Sequence, residues 1–272
     1  SSELAAVDLN VLKSNSTADQ LLSFFINVHN VMLLHAAIEY QGIPSCAISW
    51  IQFARKVKYN IGGMSFSLDQ ISHGILRNNQ RHVIFGKRFG HHDKERLSLI
   101  PAQIPNKVVF SLITMQDNSP RLRIYNAPQL TNLLDENTRE YLKEYVTVAS
   151  NGDQIQVPVA LKSLAQEFLS KRGQFNAELV AFIKAAAPEY FANVKDNAKV
   201  QILGAFTTET KTNYGAVLPI SAIEQIRLQQ LQIIKNKGLA KVASNTASSC
   251  SSSDSDETPR TPKQSKPKSG KK

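Results

Sequence analysis

The sequence predicts an α+β domain in which a helical core packs on a small, mostly antiparallel sheet, followed by a disordered C-terminal tail. Three observations predict this architecture. A long apolar, helix-forming segment spans residues 21–40, apolar residues alternate on both sides of two glycine-containing turns, and Ser, Thr, Pro and Lys dominate beyond Ser244. With 272 residues, of which 42% are hydrophobic, the chain is long enough to bury one sizeable core.

The core helix is predicted over residues 21–40, where neither Pro nor Gly interrupts a run of apolar and helix-forming residues. Its length would suit a membrane span, but it includes several polar side chains, and several polar groups in one span are costly in lipid. These are Asn27, His29, Asn30, His35 and Glu39. We therefore expect a helix that is buried in a soluble protein.

Two of these polar residues, Asn27 and Asn30, fall on one stripe of the helix, about 60° apart. Because an unpaired buried amide costs about 1–3 kcal/mol, each side chain needs hydrogen-bond partners. Two interpretations are open. The amides bond to loop backbone and fix the chain that enters the following hairpin, or they line a polar pocket.

Two hairpins are predicted from alternating apolar residues. In the first, residues 57–61 and 64–68 alternate on either side of Gly62-Gly63, a pair that suits a two-residue turn with positive φ. The second spans residues 146–157 and is closed by Asn151-Gly152, a strong short-range hairpin signal. These hairpins supply most of the expected sheet.

A short helix is predicted directly after the first hairpin. Ser67 and Gln70 have the spacing of a capping box, which predicts a helix that starts there and runs through Arg77. His73 lies on this helix, four residues after Asp69. Further helices are predicted over residues 128–145, 159–171 with Gly173 as C-cap, 176–187, and from Ser221, and strands over residues 107–114, 121–125 and 200–206.

The domain organisation follows from these patterns. Residues 1–17 are expected to be a linker or the end of an upstream segment, and residues 18–206 to form the domain. Residues 207–243 are expected to be an amphipathic helix region. Residues 244–272 form a basic tail that we expect to be disordered, because its composition cannot bury enough apolar area.

Several polar positions in order carry a resemblance to a known family. The segments FFINVHN, LHAAIEYQGIP, KYNIGG and LDQISHGILR are similar to the motifs of the domain of unknown function 547 family. The matching residues are Asn27, Asn30, Gly62, Gly63 and His73. The chain departs from the family pattern at Phe25, His29 and Ser72, where the family usually has Trp, Tyr and Glu.

The resemblance also informs on chemistry, because bacterial members have cysteines in a loop that corresponds to residues 110–123. In this chain Thr114 and Ser119 occupy the cysteine positions. A hydroxyl does not share the low pKa of a thiolate, so cysteine chemistry is not expected here. The chain resembles the eukaryotic branch, whose members often follow other modules. This implies a role inside a signalling or scaffold protein.

Catalytic candidates are nevertheless present. His73 could act as a base oriented by Asp69, with the hydroxyl of Thr114 or Ser119 as nucleophile. No nucleophile elbow and no Gly-rich phosphate loop accompanies them. We expect no cofactor and no metal, since the spacing of the histidines matches no common site and the two cysteines are far apart. The residues weighed for a metal were His82, His91, His92 and Asp93.

The charge of the chain favours an anionic partner. Its net charge is +10 and its pI is ≈ 9.6, which suits nucleic acid, an anionic membrane or an acidic protein. The candidate contact residues are Arg77, Arg81, Lys87 and Arg88. In the tail, Thr258 and Thr261 each precede proline and are candidate phosphoacceptors. No signal peptide or transmembrane span is recognised, which favours the cytoplasm or the nucleus.

Three functional hypotheses follow. The first is a non-catalytic interaction or regulatory domain, with Asn27, Asn30, His73 and Arg123 as a polar core or pocket and an unidentified protein partner. The second is a degenerate or altered hydrolase with a Ser/Thr–His pair. The third is binding of nucleic acid or anionic membrane through the basic loop and tail, with an affinity that falls steeply with salt.

Overall fold

The computed structural model describes residues 2–40, 42–44, 47–80, 86–114, 118–165, 169 and 174–203. The α-helices are α1 Ser2–Ala5, α2 Leu9–Asn15, α3 Ala18–Glu39, α4 Ala47–Lys56, α5 Lys94–Leu97, α6 Leu130–Tyr145, α7 Val159–Ala165, α8 Phe175–Ala186 and α9 Pro188–Phe191. A π-helix spans Gln70–Ile75, and 3₁₀ helices span Asn106–Ser111 and Ala127–Gln129. The strands are β1 Lys58–Ile61, β2 Met64–Ser67, β3 Thr147–Val148, β4 Gln154–Pro158 and β5 Lys199–Leu203. This is an α+β fold, as predicted.

Helix α3 forms the centre of the first core, and the predicted helix over residues 21–40 is confirmed. Thr17 and Gln20 form a capping box at its start, with the Gln20 N–H 3.3 Å from Thr17 Oγ1 and the Thr17 N–H 2.8 Å from Gln20 Oε1. Its buried side chains include Leu22, Phe25 and Met32. Among the described helices, α3 is long and apolar enough to cross a membrane, but 67% of its apolar window is buried inside the fold. Such burial is typical of a core helix.

The first hairpin is confirmed. Strands β1 and β2 are antiparallel, with Ile61 opposite Met64, and Gly62 and Gly63 have φ angles of 57° and 82°. Both glycines thus have the positive φ that a two-residue primed turn requires. The N-terminal segment packs on this turn, since the Gly62 N–H donates to the Leu4 carbonyl at 2.9 Å. The described part of residues 1–17 therefore contacts the domain directly.

The second sheet has the order β3-β4-β5. Strands β3 and β4 are antiparallel, as predicted for the second hairpin, but their loop is longer than two residues and only Gly152 has positive φ, at 69°. Strand β5 pairs with β4 in parallel, after the chain has passed through α7, α8 and α9. The parallel pair was not predicted. A second apolar core lies against this sheet and includes Phe110, Tyr141, Ile155, Val157 and Ile183.

Two predicted strands are wrong. Residues 107–114 contain a 3₁₀ helix, Asn106–Ser111, and residues 121–125 contain no strand. The physical reason is that side-chain amides, rather than neighbouring strands, bond to this backbone. Asn137 Nδ2 donates to the carbonyls of Phe110 at 2.6 Å and Arg121 at 3.2 Å. Buried apolar residues therefore need no sheet here to satisfy their peptide groups.

The other predicted helices are confirmed with shifted ends, except where they leave the described residues. The helix over residues 128–145 is α6 preceded by a 3₁₀ turn, and the helix over residues 176–187 is α8. Helix α7 begins at Val159 as predicted, and the last strand, β5, lies at Lys199–Leu203. Helix α4 was not predicted. The predicted C-cap Gly173, the helix from Ser221, the tail and its phosphoacceptors Thr258 and Thr261 lie outside the described residues.

Candidate functional site

The π-helix carries the polar residues on which the site is built. The capping box predicted for its start is present, with Gln70 N–H 3.1 Å from Ser67 Oγ and Ser67 N–H 3.0 Å from Gln70 Oε1. The helix is nevertheless wound as a π-helix, not as the expected α-helix. Such turns are rare and occur frequently at functional sites. Asp69 and His73, four residues apart, project from its first turn toward each other.

Asp69 is the buried anion of this cluster. Its side chain is only 9% exposed, and its Oδ2 atom lies 2.5 Å from Arg88 Nε and 3.5 Å from Arg55 Nε. Its Oδ1 atom lies 3.1 Å from His73 Nδ1. Burial by itself would raise the pKa of Asp69, but the hydrogen bonds and charges of His73 and Arg88 lower it to about 2. Asp69 is therefore ionised at neutral pH.

Arg88 reaches Asp69 because the Asn79 side chain binds the backbone of Arg88 and Phe89 beside the π-helix. The Asn79 side-chain oxygen accepts the N–H groups of Arg88 at 2.9 Å and Phe89 at 3.0 Å, and its Nδ2 donates to the Phe89 carbonyl at 2.9 Å. A Cβ on Gly74 would lie 2.5 Å from the Phe89 ring. Glycine at this position therefore lets Phe89 pack on the helix, which places Arg88 beside Asp69.

His73 has a partner at each ring nitrogen. Its Nδ1 faces Asp69 and also lies 3.0 Å from Ser72 Oγ, while its Nε2 lies 2.7 Å from Arg77 Nη1. A guanidinium only donates, so Nε2 must accept, and the ring proton is on Nδ1, where it donates to Asp69. Burial and the positive charge of Arg77 lower the pKa of His73 to about 4 despite Asp69. The imidazole is thus neutral at pH 7.

A second neutral histidine, His29, lies nearby on α3. It is buried, and its Nδ1 lies 3.2 Å from the Asn30 side-chain oxygen. Burial lowers the pKa of His29 to about 4 against the hydrogen bond with Asn30, and the charges of Arg77 and His73 act in the same direction as burial. His29 was not among the predicted site residues. The helical periodicity places His29 on the face of α3 opposite Asn27 and Asn30, so the sequence did not predict a polar partner for it.

Asn27 and Asn30 bond to loop backbone on the other side of α3. Asn30 Nδ2 donates to the Ser111 carbonyl at 2.9 Å, and its Oδ1 accepts the Ile113 N–H at 3.2 Å. Asn27 forms the same pair of bonds with Tyr125. The backbone they bind belongs to residues 111–125, not to the chain that enters the first hairpin. Both amides therefore fix the loop that carries Thr114 and Ser119.

The hydroxyl of Ser119 forms hydrogen bonds with the backbone of this loop. It accepts the Thr114 N–H at 3.0 Å and donates its proton to the Pro120 carbonyl at 3.1 Å. A hydroxyl whose proton is donated to a carbonyl is not the activated form that nucleophilic catalysis requires. The structure thus brings Asp69 and His73 together and gives Ser119 a backbone role.

The predicted anion-binding and polar-core residues have different environments. Arg88 is buried against Asp69, with a side chain 6% exposed, and is therefore not available on the surface as expected. Lys87 is exposed, and Arg81 lies outside the described residues. Arg123 pairs with Glu136 at 2.9 Å and with Glu140 at 2.6 Å, both on α6, and its side chain is 25% exposed.

Within the part of the chain that the structure describes, no group of three or more His, Cys, Asp or Glu side chains could bind a metal ion. The ring centroids of His91 and His92 lie 3.5 Å apart, with the ring planes tilted by 47°. His82 lies outside the described residues.

A half-open cleft of about 130 Å³ lies at the C-terminal end of the π-helix. Arg77 is its one charged lining residue among those described, and its polar wall also includes amide side chains. The opposite wall comes from the segment before the 3₁₀ helix and from that helix itself. The lining residues are Leu76, Arg77, Asn78, Gln80, Pro101, Ala102, Ile104, Pro105, Asn106, Val108 and Val109.

Comparison with protein families finds a match. Residues 13–142 match the model of a family described as "Protein of unknown function, DUF547". The match covers just under half of the chain, which is similar to this family over that segment. The comparison with curated proteins and the comparison with solved structures find no match.

The DUF547 match places the site within the family segment. It begins in α2 and ends in α6, so it includes the π-helix, the loop with Arg88 and every residue that lines the cleft. Strands β3, β4 and β5 lie beyond it. The polar cluster and the cleft are thus features of the DUF547 segment, whose function the family description leaves open.

Proposed function

We propose that this chain is a non-catalytic interaction or regulatory domain, and that its polar cluster serves recognition rather than bond cleavage. One observation carries the proposal: Arg77 Nη1 lies 2.7 Å from His73 Nε2. The atom that would take a proton in a hydrolase is instead the acceptor of a guanidinium hydrogen bond.

The contacts of His73 differ from those of the histidine in a catalytic triad. In a triad, a carboxylate binds the Nδ1–H of histidine, and Nε2 faces the nucleophile, whose proton it removes. The carboxylate half is present here in Asp69. The nucleophile's place is taken by Arg77, which has no acceptor and does not give up its proton in proteins. With a pKa of about 4, His73 is also a weak base at neutral pH.

The surroundings of this domain support recognition of an anionic group. The whole chain has a net charge of +10, and Lys87 is exposed on the loop that also carries Arg88. Phosphorylation of Thr258 or Thr261 would lower the positive charge of the tail, which offers a way to regulate such contacts. We further propose that the domain works in the cytoplasm or nucleus, inside a larger signalling or scaffold protein.

A hydrolase is the second candidate, because one observation favours it. Asp69 Oδ1 lies 3.1 Å from His73 Nδ1, which is the contact that orients a catalytic histidine. In that case Arg77 would have to leave Nε2 when substrate binds, and a hydroxyl from the Thr114 to Ser119 loop would have to replace it.

An activity screen separates the two candidates. The whole chain would be assayed with p-nitrophenyl acetate, p-nitrophenyl butyrate and a panel of fluorogenic peptides, alongside His73→Gln, Arg77→Gln and the exposed-site control His92→Gln. We expect no turnover by the wild type above the His73→Gln background, and none when Arg77 is removed. Turnover that disappears in His73→Gln but persists in His92→Gln would overturn the proposal. So would turnover that appears in Arg77→Gln.

A further inference from the structure

We propose that the cleft beside Arg77 binds a carboxylate attached to a small branched apolar group, and that His73 and Asp69 are positioning residues for the Arg77 guanidinium. The inference rests on the proposed function, since it assigns the same polar cluster to ligand recognition. It adds the chemical class of the ligand and the residue that binds its charge.

The size of the cleft limits the ligand. An apolar cavity of about 150 Å³ accepts benzene, whereas pockets for drug-sized ligands have about 300–1,000 Å³. At about 130 Å³, this cleft suits a group of the size of a leucine side chain with its carboxylate. The cleft is open to solvent, so a longer ligand could extend out of it.

The chemistry of the walls selects the functional groups. Leu76, Val108 and Val109 provide aliphatic contact for a branched apolar group. Pro101 and Pro105 lack N–H groups and offer no backbone donor. Among the described lining residues none is acidic, and the one cation is an arginine, whose planar guanidinium matches the two oxygens of a carboxylate.

The polar cluster explains how Arg77 would be held in place. Arg88 Nε contacts Asp69 at 2.5 Å, Asp69 contacts His73 Nδ1 at 3.1 Å, and His73 Nε2 accepts from Arg77 Nη1. Each contact fixes the next side chain along this series. A neutral histidine is essential to it, because a protonated ring would lose its acceptor and repel the guanidinium. Pre-organisation of this kind lowers the entropy that ligand binding must offset.

The test is an NMR titration of the whole isotope-labelled chain with N-acetyl-leucine. The matched neutral probe is N-acetyl-leucinamide, acetate supplies the charge without the apolar group, and 4-methylpentanoate supplies both without a peptide bond. We expect N-acetyl-leucine to shift the methyl signals of Leu76, Val108 and Val109. Loss of a charge-assisted hydrogen bond should weaken binding of the amide about tenfold or more.

Variants identify the residue that binds the carboxylate. Arg77→Gln should weaken N-acetyl-leucine binding about tenfold or more, whereas Lys13→Gln, which removes an exposed charge outside the cleft, should change it by less than about twofold. Arg77→Lys keeps the positive charge but not the planar guanidinium. Its affinity for N-acetyl-leucine should therefore lie between those of Arg77→Gln and the control variant. If Arg77→Gln does not fold, two measurements on the wild type decide whether the cleft binds a carboxylate. These are the shifts of the methyl signals and the ratio of the affinities for N-acetyl-leucine and N-acetyl-leucinamide.

The positioning role has its own readout. His73→Gln retains an acceptor for Arg77 and should preserve most of the affinity, whereas His73→Leu removes it and should weaken binding even where its unfolding free energy equals that of His73→Gln. Equal affinities for these two variants would overturn the positioning role. Tighter binding of N-acetyl-leucine than of 4-methylpentanoate would identify a peptide C-terminus as the source of the carboxylate, and equal binding would identify a free acid.

Failure of this inference is distinguishable from failure of the proposed function. If N-acetyl-leucinamide binds as tightly as the acid, or if neither acid shifts the cleft signals, the carboxylate site is wrong while the absence of His73-dependent turnover still supports a non-catalytic domain. If turnover depends on His73 in the activity screen, the proposed function is wrong whatever binds in the cleft.

Discussion

The side-chain amide of Asn27 forms both hydrogen bonds of the Tyr125 peptide groups: its Nδ2 donates to the Tyr125 carbonyl at 2.7 Å, and its Oδ1 accepts the Tyr125 N–H at 2.9 Å. These are the two bonds that a neighbouring strand would make. Asn30, one turn further along α3, binds Ser111 and Ile113 in the same way. Helix α3 thus serves as the hydrogen-bonding neighbour of an irregular loop.

Replacing Asn30 by alanine tests this role. Asn30 is 1% exposed, so Asn30→Ala leaves the Ser111 carbonyl and the Ile113 N–H buried without these partners. Each such group costs about 1–3 kcal/mol, and we expect the free energy of unfolding to fall by about 2–4 kcal/mol. Urea denaturation followed by circular dichroism measures it.

The matched control is Asn132→Ala, on the exposed face of α6. It should change the free energy of unfolding by no more than about 0.5 kcal/mol. A loss for Asn30→Ala as small as that of the control would mean that the loop finds other partners, and that α3 does not fix it.

The same relationship explains what the sequence could and could not predict. The helix over residues 21–40 and the hairpin at Gly62-Gly63 follow from local patterns, and the structure has both. The strand predicted over residues 107–114 does not exist. A continuous apolar run looks the same in a buried strand and in a buried 3₁₀ helix. What decides between them is the partner of the backbone, here Asn30 and Asn137, which lie far away in the chain.

The residues of the candidate site also form two groups: those that local sequence patterns predict and those that depend on tertiary contacts. Asp69 and His73 were predicted together because four residues on a helix place two side chains on one face. Arg88 reaches Asp69 only through the Asn79 turn and the contact of Phe89 with Gly74, which depend on tertiary packing. The Arg88 side chain is therefore only 6% exposed and contacts Asp69. Sequence alone reads arginines in a polar loop as solvated, since it does not reveal which one turns inward.

The turn of the first hairpin provides a matched pair of glycine substitutions. Both Gly62 and Gly63 have positive φ, so alanine at either position should cost about 1–2 kcal/mol. A Cβ on Gly62 would also lie 2.5 Å from the Val7 carbonyl oxygen, whereas a Cβ on Gly63 meets nothing within 4 Å. We expect Gly62→Ala to lower the free energy of unfolding by about 1–2 kcal/mol more than Gly63→Ala.

Denaturation of both variants in urea checks this difference. Deletion of residues 1–9 in each background gives the control, because it removes both the Val7 carbonyl and the Leu9 side chain, each of which would lie 2.5 Å from a Cβ on Gly62. The gap between the two variants should then close. A gap that survives the deletion would show that the N-terminal segment is not what Gly62 contacts.

His29 should make stability depend on pH. Its pKa is about 4 in the folded chain and 6.5 in the unfolded chain, so between these values the unfolded chain binds a proton that the folded chain does not. Stability should be fully present above pH 6.5 and decline as the pH falls toward 4. One such group contributes a slope of about 1.4 kcal/mol per pH unit, or about 3 kcal/mol over the window.

The measurement is urea denaturation at several pH values from 7.5 to about 4.5, above the range in which Asp69 titrates. His29→Gln removes the titrating ring. Its free energy of unfolding should therefore depend less steeply on pH than that of the wild type, by the contribution of up to one proton. His73, whose pKa is lowered in the same way, leaves part of the slope in both proteins. Parallel curves would contradict a buried neutral His29.

The pKa of His73 should move in opposite directions when its two partners are changed. Arg77 lowers this pKa, and Asp69 raises it, against a background in which burial lowers it to about 4. Arg77→Gln should therefore raise the pKa of His73 without restoring 6.5, because burial remains. Asp69→Asn should lower it further.

Long-range ¹H–¹⁵N spectra of the histidine rings, recorded as a function of pH, report both the pKa and the tautomer. In the wild type the proton should be on Nδ1, as the Asp69 and Arg77 contacts require. The control Lys87→Gln removes an exposed charge and should leave the His73 pKa unchanged within the precision of the titration. If neither partner variant shifted the pKa, burial alone would govern His73, and if both shifted it in the same direction, the contacts from Asp69 to Arg77 would not persist in solution.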